Sequence, residues 1–139
     1  DRVCVDGSKH EKYYSLKDTT VTLDSKDKMK EELMKNGSIQ SGLELYDDFM
    51  VYHSGIYEAV STDKPLGKHA IRIVGWGTAN GTEYWVLANS FGTEWGMDGY
   101  MNYKMGQSEI EKVGMTGFAD LVRTKPPTDQ SFLSLIYEQ

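Results

Sequence analysis

Cysteine is nearly missing from the 139 residues: Cys4 stands alone. A single thiol excludes an internal disulfide, and it excludes a cysteine-built zinc site, which takes at least a pair with further ligands. Positive charge is also short, with Lys+Arg 15 against Asp+Glu 21 and a net charge of −6. Without a basic stripe, neither a nucleic-acid backbone nor an anionic membrane surface is a fitting partner. No apolar run approaches the roughly 18 residues of a membrane-spanning helix. The chain starts at Asp1 without a hydrophobic leader, so we read it as processed or as a piece of a longer chain. There is no internal repeat and no low-complexity block.

What the chain does hold is core-forming material. Hydrophobic residues make up 39%, and 9 Tyr, 3 Trp and 4 Phe supply bulk that disordered chains lack, so one globular domain is expected. Residues 13–16 and 21–23 read as short extended pieces. Asp24 or Ser25 then caps a helix over residues 26–35, in which Met29, Leu33 and Met34 recur at helical spacing and Asn36-Gly37 ends the run. Residues 39–46 alternate as a strand, and Phe49, Tyr52, Ile56 and Tyr57 gather around Ser54-Gly55 as aromatic packing. Residues 69–74 and 84–88 flank Asn80-Gly81 as an antiparallel hairpin, and residues 99–104 and 114–122 offer further strands. Pro126-Pro127 leads into Phe132, Leu133, Leu135, Ile136 and Tyr137, a segment that reads as a tethered docking element.

Several residues have plain readings. Met29, Met34, Met97, Met101, Met105 and Met115 suit irregular core filling. Trp76 and Trp85 suit hairpin packing, and His10 and His53 show no ligand spacing. Asn36-Gly37-Ser38 and Asn80-Gly81-Thr82 match the glycosylation pattern and also the commonest tight-turn dipeptide, with the turn the plainer reading.

The hairpin brings two chemically useful residues to one end of a ribbon. His69 begins one arm and Asn89 follows the other. With Asn80-Gly81 as a strict two-residue turn, Arg72 would oppose Asn89 and the amide would lie on the face away from His69. A one-residue bulge at Gly75-Trp76-Gly77 moves Ile71 opposite Asn89 and leaves His69 diagonal to it on one face, about 7 Å away. A histidine whose ring N–H is held by an amide oxygen suits a base that activates a thiol. The bare pair is a weak signal, since a lone histidine at a strand start is more often structural.

The stretch GKHAIRIVGWG followed by NGTEYWVLANSFGTEWGMDGY, residues 67–100, resembles the C-terminal half of papain-family cysteine proteases of the cathepsin B type. The likeness extends over about residues 12–120. It implies an α+β fold: an antiparallel, barrel-like sheet with one main amphipathic helix, over residues 1–122, with 123–139 as a C-terminal extension. It implies that His69 is the catalytic base and Asn89 its orienting amide, a known variant of the nucleophile–His–Asp arrangement. It implies substrate contacts at Gly67, Lys68, Ala70, Trp95 and Val113, with an apolar second pocket at Val113, and no metal or cofactor.

The same resemblance marks departures. The family's nucleophile sits in Cys-Gly-Ser/Ala-Cys-Trp/Tyr, about 130 to 150 residues ahead of the histidine. Here only Cys4 precedes His69, and Arg2-Val3-Cys4-Val5-Asp6-Gly7 does not match that setting. The nucleophile is therefore expected on a partner chain or a missing portion, which with peptide substrate completes the list of partners. Gly106-Gln107 runs into Ser108 without the cysteine that follows there in cathepsin B, and Ser38 replaces a proline. Phe91 replaces the tryptophan that shields the Asn–His contact, and Lys68 puts a cation beside His69 in sequence. Two functions follow: the base-bearing part of a cathepsin B-like thiol protease, or a non-catalytic pseudoprotease that serves as a binding or structural module. A lysosomal or secreted compartment follows from the family resemblance alone.

Overall fold

The computed structural model describes residues 3–8, 13–60 and 64–120. They fall into two compact units, one drawn from Asp1–Thr20 with Gly117–Gln139, the other Val21–Thr116. In the first, Ser15 bridges Ala119 in antiparallel fashion, and Leu16 N–H donates to Phe118 O at 2.8 Å. The predicted boundary at 122/123, the docking segment and His10 lie outside the described residues.

The described residues of the second unit form an α+β arrangement of seven strands and two helices: β1 (Val21–Leu23), α1 (Lys26–Lys35), β2 (Ile39–Leu45), α2 (Asp47–Met50), β3 (Ile56–Tyr57), β4 (Gly67–Ala79), β5 (Thr82–Ala88), β6 (Tyr100–Lys104) and β7 (Gly114–Thr116). The strands form one sheet in the order β1-β7-β2-β4-β5-β6-β3, so it is open rather than closed into a barrel. Every pairing is antiparallel except β3 with β6, which is parallel. The last predicted strand is shorter than residues 114–122, and α2 is a single turn with no periodicity for a sequence pattern to catch.

The core lies on one face of the central strands. Ile39 pairs with Ile73, Ser41 with Ile71, Ile73 with Leu87, Leu87 with Met101, and Trp85 with Tyr103, and all of these are buried. Each large side chain removed from water in this row stabilises the unit by about 1.5–3 kcal/mol. Ser41, the one small polar side chain among them, donates to Ile110 O at 2.7 Å, which offsets the cost of burying its hydroxyl.

Helix α1 covers the residues its pattern predicts. Ser25 Oγ accepts from Lys28 N–H at 3.4 Å, and Asn36 N–H closes the last turn on Glu32 O at 2.8 Å. Met29 is fully buried, but Met34 is 78% exposed. Five residues turn a helix by about 140° beyond a full circle, so Met29 and Met34 cannot share a face. Met115 is also exposed, so core filling holds for Met29, Met101 and Met105 but not for these two.

The hairpin turn is Asn80-Gly81, with φ of 50° and 77° and with Ala79 facing Thr82. Its register shifts between Ile73 and Gly75, which makes Val74 the extra residue. The bulge thus sits just ahead of the glycines rather than among them. The ring of Tyr84 fills the space where a Cβ on Gly77 would stand, 2.6 Å from Cζ. That glycine therefore serves cross-strand packing. Trp76 faces Trp85, as a packing role for both requires.

Candidate active site

His69 continues the core row of β4. It stands opposite Leu43 of β2, two residues along from buried Ile71. Because Val74 is extra, Arg72 faces Ala88, and Asn89, just past the end of β5, comes to the side of the sheet that His69 occupies. The imidazole Nε2 lies 2.8 Å from Asn89 Oδ1.

That oxygen also accepts the Ser90 backbone N–H at 2.8 Å, which fixes which end of the amide faces the ring. An amide oxygen only accepts, so Nε2 carries the hydrogen and donates it. The neutral ring then holds its lone pair on Nδ1. Asn89 is anchored by its own N–H to Gly99 O at 3.0 Å, while its Nδ2 is buried with no hydrogen-bond partner among the described residues.

Two aromatic rings flank the imidazole, and a third, Trp95, backs them. Phe91 lies tilted at 36° with its centroid 5.0 Å away, and Phe49 meets the imidazole edge-on at 6.0 Å. Trp95 stacks on Phe49 at 5.1 Å and meets Phe91 edge-on at 5.6 Å. Trp95 Nε1–H donates to Met50 O at 3.2 Å, so the turn of α2 holds both Phe49 and Trp95. Phe49 is 1% exposed and rigid, whereas Phe91 is 37% exposed and covers one side only. In the loop that presents Trp95, Gly96 has φ +63° and a Cβ there would stand 2.6 Å from Tyr100 O. No other residue fits there.

Three of the remaining predicted positions line two grooves. Lys68 and Val113 line one of about 90 Å³ with Gly42, Leu43, Glu44 and Glu109. Lys68 faces Glu44 across the strands. It projects opposite to His69, because neighbours in a strand alternate sides. The expected cation beside the imidazole is therefore turned away from it. Ala70 lines a second, shallower groove with Arg72, Ala88 and Ser90. Gly67 opens β4, exposed, opposite Leu45. Sequence reasoning placed Phe49 only in aromatic packing and missed Gly42. The signal for Gly42 was its position in an alternating strand, where a missing side chain leaves a hollow.

The sequence matches the model of the papain family cysteine proteases over residues 1–121. The chain belongs to the papain family. Its relatives include cathepsin B-like cysteine proteinase 4 of Caenorhabditis elegans, 44% identical over 78 residues, covering 56% of this chain and 23% of that protein. Cathepsin B-like protease 1 of Arabidopsis thaliana is 35% identical over 113 residues, covering 78% and 29%. Among solved structures, proCathepsin B S9 from Trypanosoma congolense superposes with a TM-score of 0.70 at 39% identity, covering 78% of this chain and 37% of that one. The fold and the cathepsin B-like character of this papain-family chain stand on these matches. It spans only about a quarter of the length of the curated relatives.

Proposed function

We propose that this chain is the base-bearing portion of a cathepsin B-like peptidase, with His69 as general base and Asn89 as the amide that orients it. The observation that carries the reading is the Nε2–H to Oδ1 bond of 2.8 Å, which sends the free lone pair to Nδ1, where a thiol proton can be taken. Phe49 and Phe91, backed by Trp95, pack against the imidazole and restrict its rotation. The thiol comes from a second portion or chain, since Cys4 is the one cysteine here. Peptide is the substrate, and the groove lined by Gly42, Leu43 and Val113, together with Glu44, Lys68 and Glu109, takes one of its aliphatic side chains. Gly67, Lys68 and Ala70 on β4, and Trp95 on the side of His69, are the further substrate contacts in this reading. The family resemblance favours a lysosomal or secreted compartment.

The lone cysteine also suits a second reading, a pseudoprotease module that binds without cleaving. Turnover of a fluorogenic dipeptide substrate separates the cases. On the first reading the chain alone is inactive and gains activity with a nucleophile-bearing partner. Activity of the chain alone that survives Cys4→Ser would overturn the assignment of the nucleophile to another portion.

A further inference from the structure

On the outer face of β4, away from His69, Lys68, Ala70 and Arg72 project in turn. Across the sheet Ala70 faces Gly42, and Arg72 faces Gln40 on one side and Ala88 on the other. Small residues thus form a saddle between two cations. The Lys68 end already holds carboxylates, for Glu44 and Glu109 share its groove. Of these, Glu44 accepts from Tyr46 OH at 3.1 Å and Glu109 from Lys112 Nζ at 3.0 Å.

The Arg72 end differs. Its groove of about 290 Å³ is lined by Ala70, Ile71, Arg72, Ala88, Asn89 and Ser90, with no acidic residue. Both cross-strand neighbours of Arg72 are uncharged, and no ion pair to it exists among the described residues. In a chain with 21 acidic residues, an arginine in a groove without one is a vacant charge partner. A guanidinium holds a carboxylate through two parallel N–H bonds, and the Ser90 hydroxyl adds a donor.

We propose that the Ala70–Arg72 groove binds the carboxylate of an acidic side chain in a bound peptide, with Arg72 as its specificity-determining residue. The inference rests on the peptidase reading only in taking the ligand to be a peptide. An acidic side chain over Ala70 reaches Arg72 while its backbone runs along the outer face of β4 towards the end that carries His69. An exposed guanidinium also makes the preference sensitive to salt.

Binding to the 139-residue chain tests this without any need for turnover. The probes are two capped tetrapeptides, acetyl-Ala-Glu-Ala-Ala-amide and its Gln counterpart, followed by amide chemical-shift titration. The Glu peptide is expected to bind about tenfold more tightly, with shifts centred on residues 70–72 and 88–90. Arg72→Gln should remove the difference, Arg72→Lys should keep part of it, and 0.5 M salt should shrink it. Equal affinities for the two peptides, no detectable binding of either, or a preference that survives in Arg72→Gln would each overturn the proposal. Sodium acetate producing the same shifts at equal concentration would overturn the assignment to peptide. A chain that passes this test yet stays inactive with every nucleophile-bearing partner would refute the peptidase reading alone.

Discussion

Arg72 stands opposite Ala88, not opposite Asn89, because Val74 is one residue more than the β4–β5 ladder can pair. That single unpaired residue decides on which side of the sheet Asn89 lies. Without it, the strict count from Asn80-Gly81 puts the amide behind the strand that carries His69.

Deleting Val74 therefore separates the site from the fold. The turn and the outer hairpin retain their pairing, while either Asn89 or His69 moves to the wrong face. The Nε2–H resonance of His69, held by Asn89 Oδ1 in the intact chain, should be lost to exchange in the deletion variant. Its persistence in a folded deletion variant would show that the bulge does not set the pairing.

The groove over Gly42 is open because residue 42 has no side chain. A Cβ there would meet His69 O at 3.6 Å and Val113 Cγ2 at 3.8 Å, ordinary contacts, so Gly42→Ala should fold with unchanged stability. It takes space from a groove of about 90 Å³. In the completed enzyme, KM for a substrate with a large aliphatic side chain at this position should rise about tenfold relative to one with alanine. Equal KM ratios in wild type and variant would remove Gly42 from the substrate path.

Tyr57 links the aromatic cluster to α2. Its hydroxyl donates to Asp48 Oδ1 at 2.5 Å, and Asp48 Oδ2 accepts Val60 N–H at 3.0 Å. Burial, then the bond to Asp48, push the Tyr57 phenol well above its ordinary range, and burial raises Tyr52 and Tyr103 in the same direction. Above about pH 10 the folded chain therefore keeps protons that the unfolded chain releases, and stability falls as pH rises. Tyr57→Phe should lessen that fall and cost about 1 kcal/mol at neutral pH through the lost hydrogen bond. Denaturant midpoints at pH 8 and pH 11 measure both effects. An unchanged slope in the variant would contradict the account.

The legible parts of the molecule were those governed by local rules. Helix α1 has its cap, its Met29–Leu33 spacing and its Asn36-Gly37 stop written within a dozen residues. The hairpin turn announces itself in Asn80-Gly81, and the pairing of His69 with Asn89 needed only a bulge to be geometrically sound. Less legible were features set by distant contacts. The single turn of α2 exists because Phe49 is buried against Tyr57, His69, Phe91 and Trp95, a cluster gathered from four separate segments. The parallel pairing of β3 with β6 needs Ile56 beside Asn102, which no local pattern reports. The bulge was misplaced by one residue because Gly75 and Gly77 looked like its cause, when Gly77 in fact makes room for Tyr84.

The most direct test of the central claim is the rate at which the chain, joined to a nucleophile-bearing portion, hydrolyses a fluorogenic dipeptide, compared among wild type, His69→Ala and Asn89→Ala. Loss of a general base typically costs about 10²–10⁴-fold, so His69→Ala should be without measurable turnover. Asn89→Ala should keep a fraction of the wild-type rate, because the ring retains its lone pair and loses only its orientation. Wild-type turnover in His69→Ala would contradict the assignment of His69 as the base, and with it the function proposed for this chain.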